Sequence, residues 1–149
     1  MCGIAGVISK QAASIEELRL IAMRDIMLHR GPDAGSLWIH ENIALAHRRL
    51  SIIDLSDAGT QPFHSECGRY VLVFNGEIFN YKELRKNLEA SGIVFRTHSD
   101  TEVLLYLLIH EGTNCLNKLI GFWAIAFHDK QSKETLLIRD RMGIKPFFY

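Results

Sequence analysis

A chain of 149 residues is long enough for one domain with a hydrophobic core. Its 48% hydrophobic and 23% charged residues are ordinary for a globular protein, and no apolar run approaches the length of a membrane helix. The 17 basic and 17 acidic residues balance, which argues against a nucleic-acid or membrane partner. The first residues lack the basic and apolar regions of a signal peptide, so we expect a cytoplasmic protein.

The cysteines and histidines indicate neither a disulfide framework nor a metal site. Cys2, Cys67 and Cys115 are odd in number, widely spaced and outside any CxxC motif. The seven histidines are scattered and contain no HExxH pair. We therefore expect no bound metal.

Hydrophobic patterns in chain order predict an α+β fold with mostly antiparallel sheets, because the helices interrupt groups of strands and do not alternate with them regularly. Ser14 with Glu17, Asn80 with Glu83, and Ser99 with Glu102 predict the starts of three helices. The first helix would reach about residue 29, the second would end at Gly92, and the third would cover 101–111. The predicted strands are residues 2–9, 36–40, 43–49, 70–81, 122–128 and 135–139.

Cys2 has an ordinary and a chemical interpretation. Most free cysteines are small buried hydrophobic residues. Once Met1 is removed, however, Cys2 carries a thiol and a free α-amine. That amine has a pKa of about 7.7–8.0, so it is able to accept the thiol proton near neutral pH.

Three further segments have both a structural and a chemical interpretation. Arg48 fits a side chain that snorkels at a strand edge, whereas Arg49 is suited to clamp a carboxylate. Asn75-Gly76 between apolar runs is a strong hairpin signal, but an Asn amide and a Gly N–H also make a pair of oxyanion donors. Asp100 either favours a helix N-terminus or accepts the ammonium group of an amino acid.

Seven motifs in order resemble the class II glutamine amidotransferases, in particular the asparagine synthetase branch. They are MCGIAG at 1–6, HRGPD at 29–33, RLSIID at 49–54, QP at 61–62, NGEIFN at 75–80, SDTE at 99–102 and RDRMGIKP at 139–146. The resemblance covers essentially the whole chain. It implies an N-terminal-nucleophile hydrolase fold, in which two antiparallel sheets lie between helices.

The resemblance also implies a role for individual residues. Cys2 would attack the glutamine carboxamide, with Asn75 and Gly76 as the oxyanion hole. Arg49 would bind the substrate carboxylate and Asp100 its ammonium. The remaining glutamine-pocket residues would be Leu50, Ser51, Ile52, Ile53 and Glu77. The 29–33 motif would lie near the pocket mouth without an assigned step, the 139–146 motif would shape a turn, and Cys67 would be exposed and uninvolved.

The predicted activity is hydrolysis of glutamine to glutamate and ammonia by a single amidotransferase domain over residues 1–149. Family members continue into an ATP-dependent synthetase domain, so this chain resembles a domain shortened at its C-terminal end. Within it we expect no cofactor, because ATP and Mg²⁺ belong to the synthetase domain. The expected partners are glutamine, a fused or separate synthetase domain and, for the full-length protein, a second copy. Two alternatives are a non-catalytic glutamine-binding module and the glutaminase domain of another class II enzyme, such as a glucosamine-phosphate synthase or an amidophosphoribosyltransferase.

Overall fold

The computed structural model describes residues 2–10, 15–51 and 57–149, without the side chain of Asp57. Its regular elements are β1 (Gly3–Ile8), α1 (Glu17–Asp25), β2 (Ala34–His40), β3 (Ile43–Arg49), β4 (Phe63–His64), β5 (Tyr70–Ile78), α2 (Tyr81–Ala90), α3 (Asp100–Glu111), β6 (Gly121–Asp129) and β7 (Glu134–Arg139). Short 3₁₀ turns occur at Asp57–Gly59 and Gly112–Asn117. Each predicted strand is present with its ends shifted by at most three residues.

The strands form two antiparallel sheets that face each other. The first has the order β1-β3-β2 and the second β4-β5-β6-β7. Helix α1 packs on the outer face of the first sheet, while α3 lies against β5 of the second and α2 packs on α3. The layers are therefore helix, sheet, sheet, helix, and the predicted α+β fold class is confirmed.

The core follows from the alternation of side chains along β5. Val71 and Val73 face the first sheet and contact Ile43 and Leu45 of β3. Leu72 and Phe74 face the helices and join the larger cluster with α3. Alternate residues of one strand thus supply both interfaces, as a sheet covered on both faces requires.

Two predicted helix caps differ from the structure. Helix α1 begins at Glu17 after Glu16 as N-cap, so it starts later than a Ser14 cap requires, although Ser14 itself lies outside the described residues. Asn80 is the N-cap of α2, but its side chain makes no capping bond. Its amide instead donates to the Lys118 carbonyl at 2.9 Å and accepts from the Ile120 N–H at 3.0 Å. Asn80 therefore ties the start of α2 to the segment before β6.

Candidate active site

Cys2 lies immediately before β1, with its thiol against the main chain that follows β3. Its Sγ is 3.4 Å from the donating Leu50 nitrogen and 3.7 Å from the Leu50 carbonyl oxygen. The Arg30 Nε donates to the Cys2 carbonyl at 3.2 Å. The first strand and two distant segments thus hold the half-buried thiol in position.

The 29–33 motif supports this part of the site. A Cβ on Gly31 would lie 2.4 Å from the Arg48 carbonyl carbon, so only glycine allows the two backbones to pack so closely. The Gly31 carbonyl accepts from Arg48 Nε at 2.9 Å, and the Asp33 carboxylate accepts from the Ser51 N–H at 2.7 Å. Arg48 is only 8% exposed, so the prediction of a snorkelling side chain is wrong. The motif fixes the backbone against which the Cys2 thiol rests.

Asn75 and Gly76 lie inside β5, paired with Ala124 and Trp123 of β6, so they do not form a hairpin turn. Residues of an antiparallel strand direct their N–H groups to alternate edges. On the edge away from β6, the Phe74 N–H donates to Gln61 Oε1 at 2.6 Å and the Ile78 N–H donates to Asp100 Oδ2 at 3.2 Å. Gly76 lies between them, so the strand geometry directs its N–H to the same edge, where the site cavity lies.

Asn75 and Gly76 are both closely packed by their surroundings. Asn75 is 4% exposed, and its Oδ1 has no hydrogen-bond partner within the described part of the chain. A buried amide oxygen without a partner costs free energy and would be satisfied by a water or ligand donor, whereas only the Nδ2 of the same amide is able to donate to an oxyanion. A Cβ on Gly76 would approach the Phe122 carbonyl to 2.3 Å, so glycine is required by the packing of β6.

Gln61 is a site residue to which the sequence pattern gave no role. It is 5% exposed and lines the cavity. Besides accepting from the Phe74 N–H, its amide donates to Thr101 Oγ1 at 3.3 Å, and its carbonyl accepts from the Ser36 hydroxyl. Gln61 therefore joins β2, β5 and α3 around the cavity.

Asp100 is the first residue of α3, and its carboxyl group turns toward β5. It is 6% exposed, and burial raises its pKa to about 6 although the Ile78 and Thr101 N–H groups favour the ionised form. A charged ligand group of opposite sign would relieve this cost. Ser99 caps the same helix by accepting from the Glu102 N–H at 3.3 Å, which confirms that predicted start.

These residues surround one cavity of about 110 Å³. Arg49, 7% exposed, contributes from the end of β3, next to the buried His47 whose pKa burial lowers to about 4. Ile52 and Ile53, expected in the glutamine pocket, lie outside the described residues. Every other predicted site residue lines the cavity: Cys2, Arg49, Leu50, Ser51, Asn75, Gly76, Glu77 and Asp100.

The 139–146 motif provides a further cavity residue that the sequence pattern did not single out. Asp140 shapes the predicted turn, because its carboxylate accepts the N–H groups of Ile144 and Lys145, both at 2.9 Å. The turn places Lys145 in the cavity with Cys2, and Lys145 is only 2% exposed. The motif is therefore both structural and part of the site.

Over residues 2–10, 15–51 and 57–149, no cluster of three or more His, Cys, Asp or Glu side chains is placed to hold a metal ion. No helix in the same ranges is long and apolar enough to cross a membrane.

Two antiparallel sheets between helices, with a thiol at the start of the first strand, form the N-terminal-nucleophile hydrolase arrangement that the resemblance implied. The model of the glutamine amidotransferase domain family matches residues 1–149, and the chain belongs to this family.

Similar proteins agree with this assignment. The chain is 43% identical to "Asparagine synthetase [glutamine-hydrolyzing] 2" of Bacillus subtilis and 37% identical to "Asparagine synthetase B [glutamine-hydrolyzing]" of Escherichia coli. These matches cover 100% and 99% of this chain, but only 20% and 26% of those proteins. The solved glutamine phosphoribosylpyrophosphate amidotransferase of B. subtilis matches 72% of this chain and 25% of its own, with a TM-score of 0.61 and 28% identity. The chain therefore corresponds to one part of larger enzymes.

Proposed function

We propose that this domain hydrolyses glutamine to glutamate and ammonia, with Cys2 as nucleophile after removal of Met1. The observation that carries the proposal is the single cavity that brings together the Cys2 thiol, the Asn75–Gly76 edge of β5 and the opposite charges of Arg49 and Asp100. These groups come from the residue before β1 and from β3, β5 and α3, and they supply a nucleophile, oxyanion donors and two charged binding groups.

The chemical steps follow from these positions. The α-amine of Cys2 takes the thiol proton, and the sulfur bonds to the glutamine carboxamide carbon while the carbonyl electron pair moves to oxygen. Asn75 Nδ2 and the Gly76 N–H stabilise that oxyanion. The intermediate collapses to a thioester as ammonia leaves with the proton held by the amine. A water molecule then gives a proton to the amine and attacks the thioester, which releases glutamate and restores the thiol.

Charge and burial support an amino acid as substrate. The guanidinium of Arg49 matches a carboxylate, since its planar fork makes paired hydrogen bonds. The Asp100 carboxylate, buried with a raised pKa, would gain a partner in an α-ammonium. A ligand carrying both groups and a side-chain amide between them and Cys2 is glutamine.

A non-catalytic glutamine-binding module is the second candidate. A module of that kind needs Arg49 and Asp100 but has no use for a thiol held against Leu50 or for donors directed at a developing charge. The presence of both sets of groups in one cavity favours the enzyme.

The use of the ammonia would depend on a synthetase domain outside these 149 residues. The relatives are named as glutamine-hydrolysing asparagine synthetases, and this chain spans about a quarter or less of their length. We infer that the ammonia serves an ATP-dependent amide synthesis, for example aspartate to asparagine, in a fused or separate synthetase domain. ATP and Mg²⁺ would bind there, and a homodimer would form at the level of the full-length protein.

The test is product analysis of the purified chain with glutamine, in the presence and absence of aspartate and ATP–Mg²⁺. We expect equal amounts of glutamate and ammonia, no asparagine or AMP, and no effect of the two additions. Cys2→Ala, which removes the sulfur and is a small change at a half-buried position, should lose the activity. Glutamate formation by Cys2→Ala, or asparagine formed in step with glutamate, would contradict the proposal.

A further inference from the structure

We propose that Lys145 is a positioning residue that stabilises the negative charge of the Cys2 sulfur and of the tetrahedral intermediate formed on it. The inference deepens the proposed function, because it takes Cys2 as the reacting atom, and it rests on where the turn after β7 places this ammonium group.

Lysine is rarely buried without a specific reason, because an ammonium ion loses its hydration on burial. Lys145 is 2% exposed, yet it lines the same cavity as Cys2, Asn75 and Glu77. In the described part of the chain it is the one lysine at this cavity. A cation therefore lines the same cavity as the proposed nucleophile and the proposed oxyanion donors.

The backbone around Lys145 is fixed from both sides. Its N–H donates to Asp140 Oδ2 at 2.9 Å, and its carbonyl accepts from Arg139 Nε at 2.6 Å. Asp140 Oδ2 also accepts the Trp123 N–H at 3.4 Å, which ties the turn to β6. The hydrogen bonds of the turn thus anchor the lysine main chain to the sheet that carries the proposed oxyanion donors.

The side chain is held as well. The Lys145 ammonium lies 4.7 Å from the centroid of the Phe122 ring, a cation–π distance that favours the charged form. Burial, and next the Arg30 guanidinium, lower its pKa from the ordinary value, while Cys2, Glu77 and Asp140 act in the opposite direction. The groups that favour protonated Lys145 thus include the proposed nucleophile of the cavity.

In the reaction, Lys145 transfers no proton and forms no bond. When the thiol proton passes to the α-amine and the S–C bond forms, negative charge moves from sulfur to the carbonyl oxygen. A fixed ammonium beside this path stabilises both the thiolate and the oxyanion without reorganising. Its effect belongs in kcat and in the reactivity of the thiol, with little effect on KM.

The decisive readout is the alkylation of Cys2 by iodoacetate, an anion, compared with iodoacetamide, which is neutral and similar in size. Peptide mass spectrometry measures each rate at fixed pH and low salt in the parent chain, Lys145→Met and Lys145→Arg. Lys145→Met keeps the length of the side chain and removes the charge. Lys133→Met, which removes an exposed lysine paired with Glu41 at 2.8 Å, is the matched control. The exposed Cys67 is an internal control in every sample.

We expect the iodoacetate-to-iodoacetamide rate ratio at Cys2 to fall at least about threefold in Lys145→Met, as loss of one nearby charge predicts. The ratio should be retained in Lys145→Arg and Lys133→Met, and the ratio at Cys67 should stay constant. In the glutaminase assay, Lys145→Met should lose about tenfold or more in kcat. An unchanged ratio at Cys2, or an equal fall at Cys67, would overturn the proposal.

This measurement separates the two hypotheses. The alkylation ratio reports the charge beside Cys2 whether or not glutamine is hydrolysed. If the ratio at Cys2 falls in Lys145→Met but the parent chain has no glutaminase activity, the result would support the role of Lys145 and reject the proposed function. If the parent chain is active but the ratio at Cys2 is the same in Lys145→Met, the result would reject only the role of Lys145.

Discussion

Asn75 and Gly76 adopt a conformation in the sheet that differs from the one their sequence favours in isolation. In isolation Asn-Gly favours a two-residue hairpin turn, whereas here both residues continue β5 alongside β6. The neighbouring Phe74 and Ile78 N–H groups are bonded to side chains, so the edge around Gly76 remains open for a ligand. The local pattern could not decide between a turn and a strand, because the pairing with β6 and the contacts from residues 61 and 100 form only in the folded chain.

Asn75→Ala tests the oxyanion role at the residue scale. Loss of one such donor typically costs about 2.7–4 kcal/mol of transition-state stabilisation, so kcat should fall about 10²–10³-fold with little change in KM. Steady-state glutaminase kinetics measure both constants. Asn87→Ala, on the exposed face of α2, is the control and should behave like the parent chain. A rise in KM with kcat unchanged would mean that Asn75 binds the ground state of the substrate.

At the scale of elements, helix α3 is predicted almost to the residue, yet its first turn does more than a helix start requires. Ser99 makes the expected cap, but the Glu102 carboxylate does not return to the Ser99 N–H as a capping box would. It is fully buried and accepts from the N–H groups of Arg96 and Thr97, at 3.1 and 2.7 Å. These bonds fix the loop that delivers Asp100 to the cavity, and the sequence motif contains no sign of them.

The buried carboxyl group of Asp100 should make this helix start unfavourable for stability at neutral pH. Burial raises the pKa of Asp100 to about 6, so the folded chain holds the proton more tightly than the unfolded chain. The resulting stability is fully present below about pH 4 and is lost as pH rises through about 6. The loss amounts to about 3 kcal/mol at pH 7.5, which is two pKa units at about 1.4 kcal/mol each.

Asp100→Asn should therefore be more stable than the parent chain at pH 7.5, by up to about 3 kcal/mol, with a much smaller difference at pH 4.5. Urea denaturation at both pH values measures the difference. Burial lowers the pKa of His47 to about 4, so the contribution of His47 to the free energy of unfolding rises with pH over the range in which that of Asp100 falls. Subtracting the parent chain from Asp100→Asn at each pH removes the His47 contribution. A difference independent of pH would contradict the raised pKa of Asp100.

At the scale of the whole molecule, the site exists only because two sheets face each other. Cys2 precedes β1 and Arg49 ends β3 in one sheet, whereas Asn75 belongs to β5 of the other. Strand periodicity predicts the strands but says nothing about which ends meet, because that depends on the order β1-β3-β2 and on the stacking of the sheets. Only the ordered set of seven motifs connected these residues before the fold was known. Lys145 and Gln61 were missed as site residues although both lie in those motifs. The turn that places Lys145 and the hydrogen bonds that place Gln61 depend on contacts between distant segments of the folded chain.

The most direct test of the account is the glutaminase activity of two preparations that differ only at Met1. Intact mass identifies a chain that begins at Cys2 and a chain that retains Met1, for example after expression with the methionine aminopeptidase inhibited. In the retained form the Cys2 nitrogen is an amide without basicity, and the nearest amine lies about 3.8 Å further along the chain. We predict glutamate and ammonia from the processed chain and negligible activity from the retained form. Equal activity of the two preparations would contradict the mechanism in which the α-amine of Cys2 is the base.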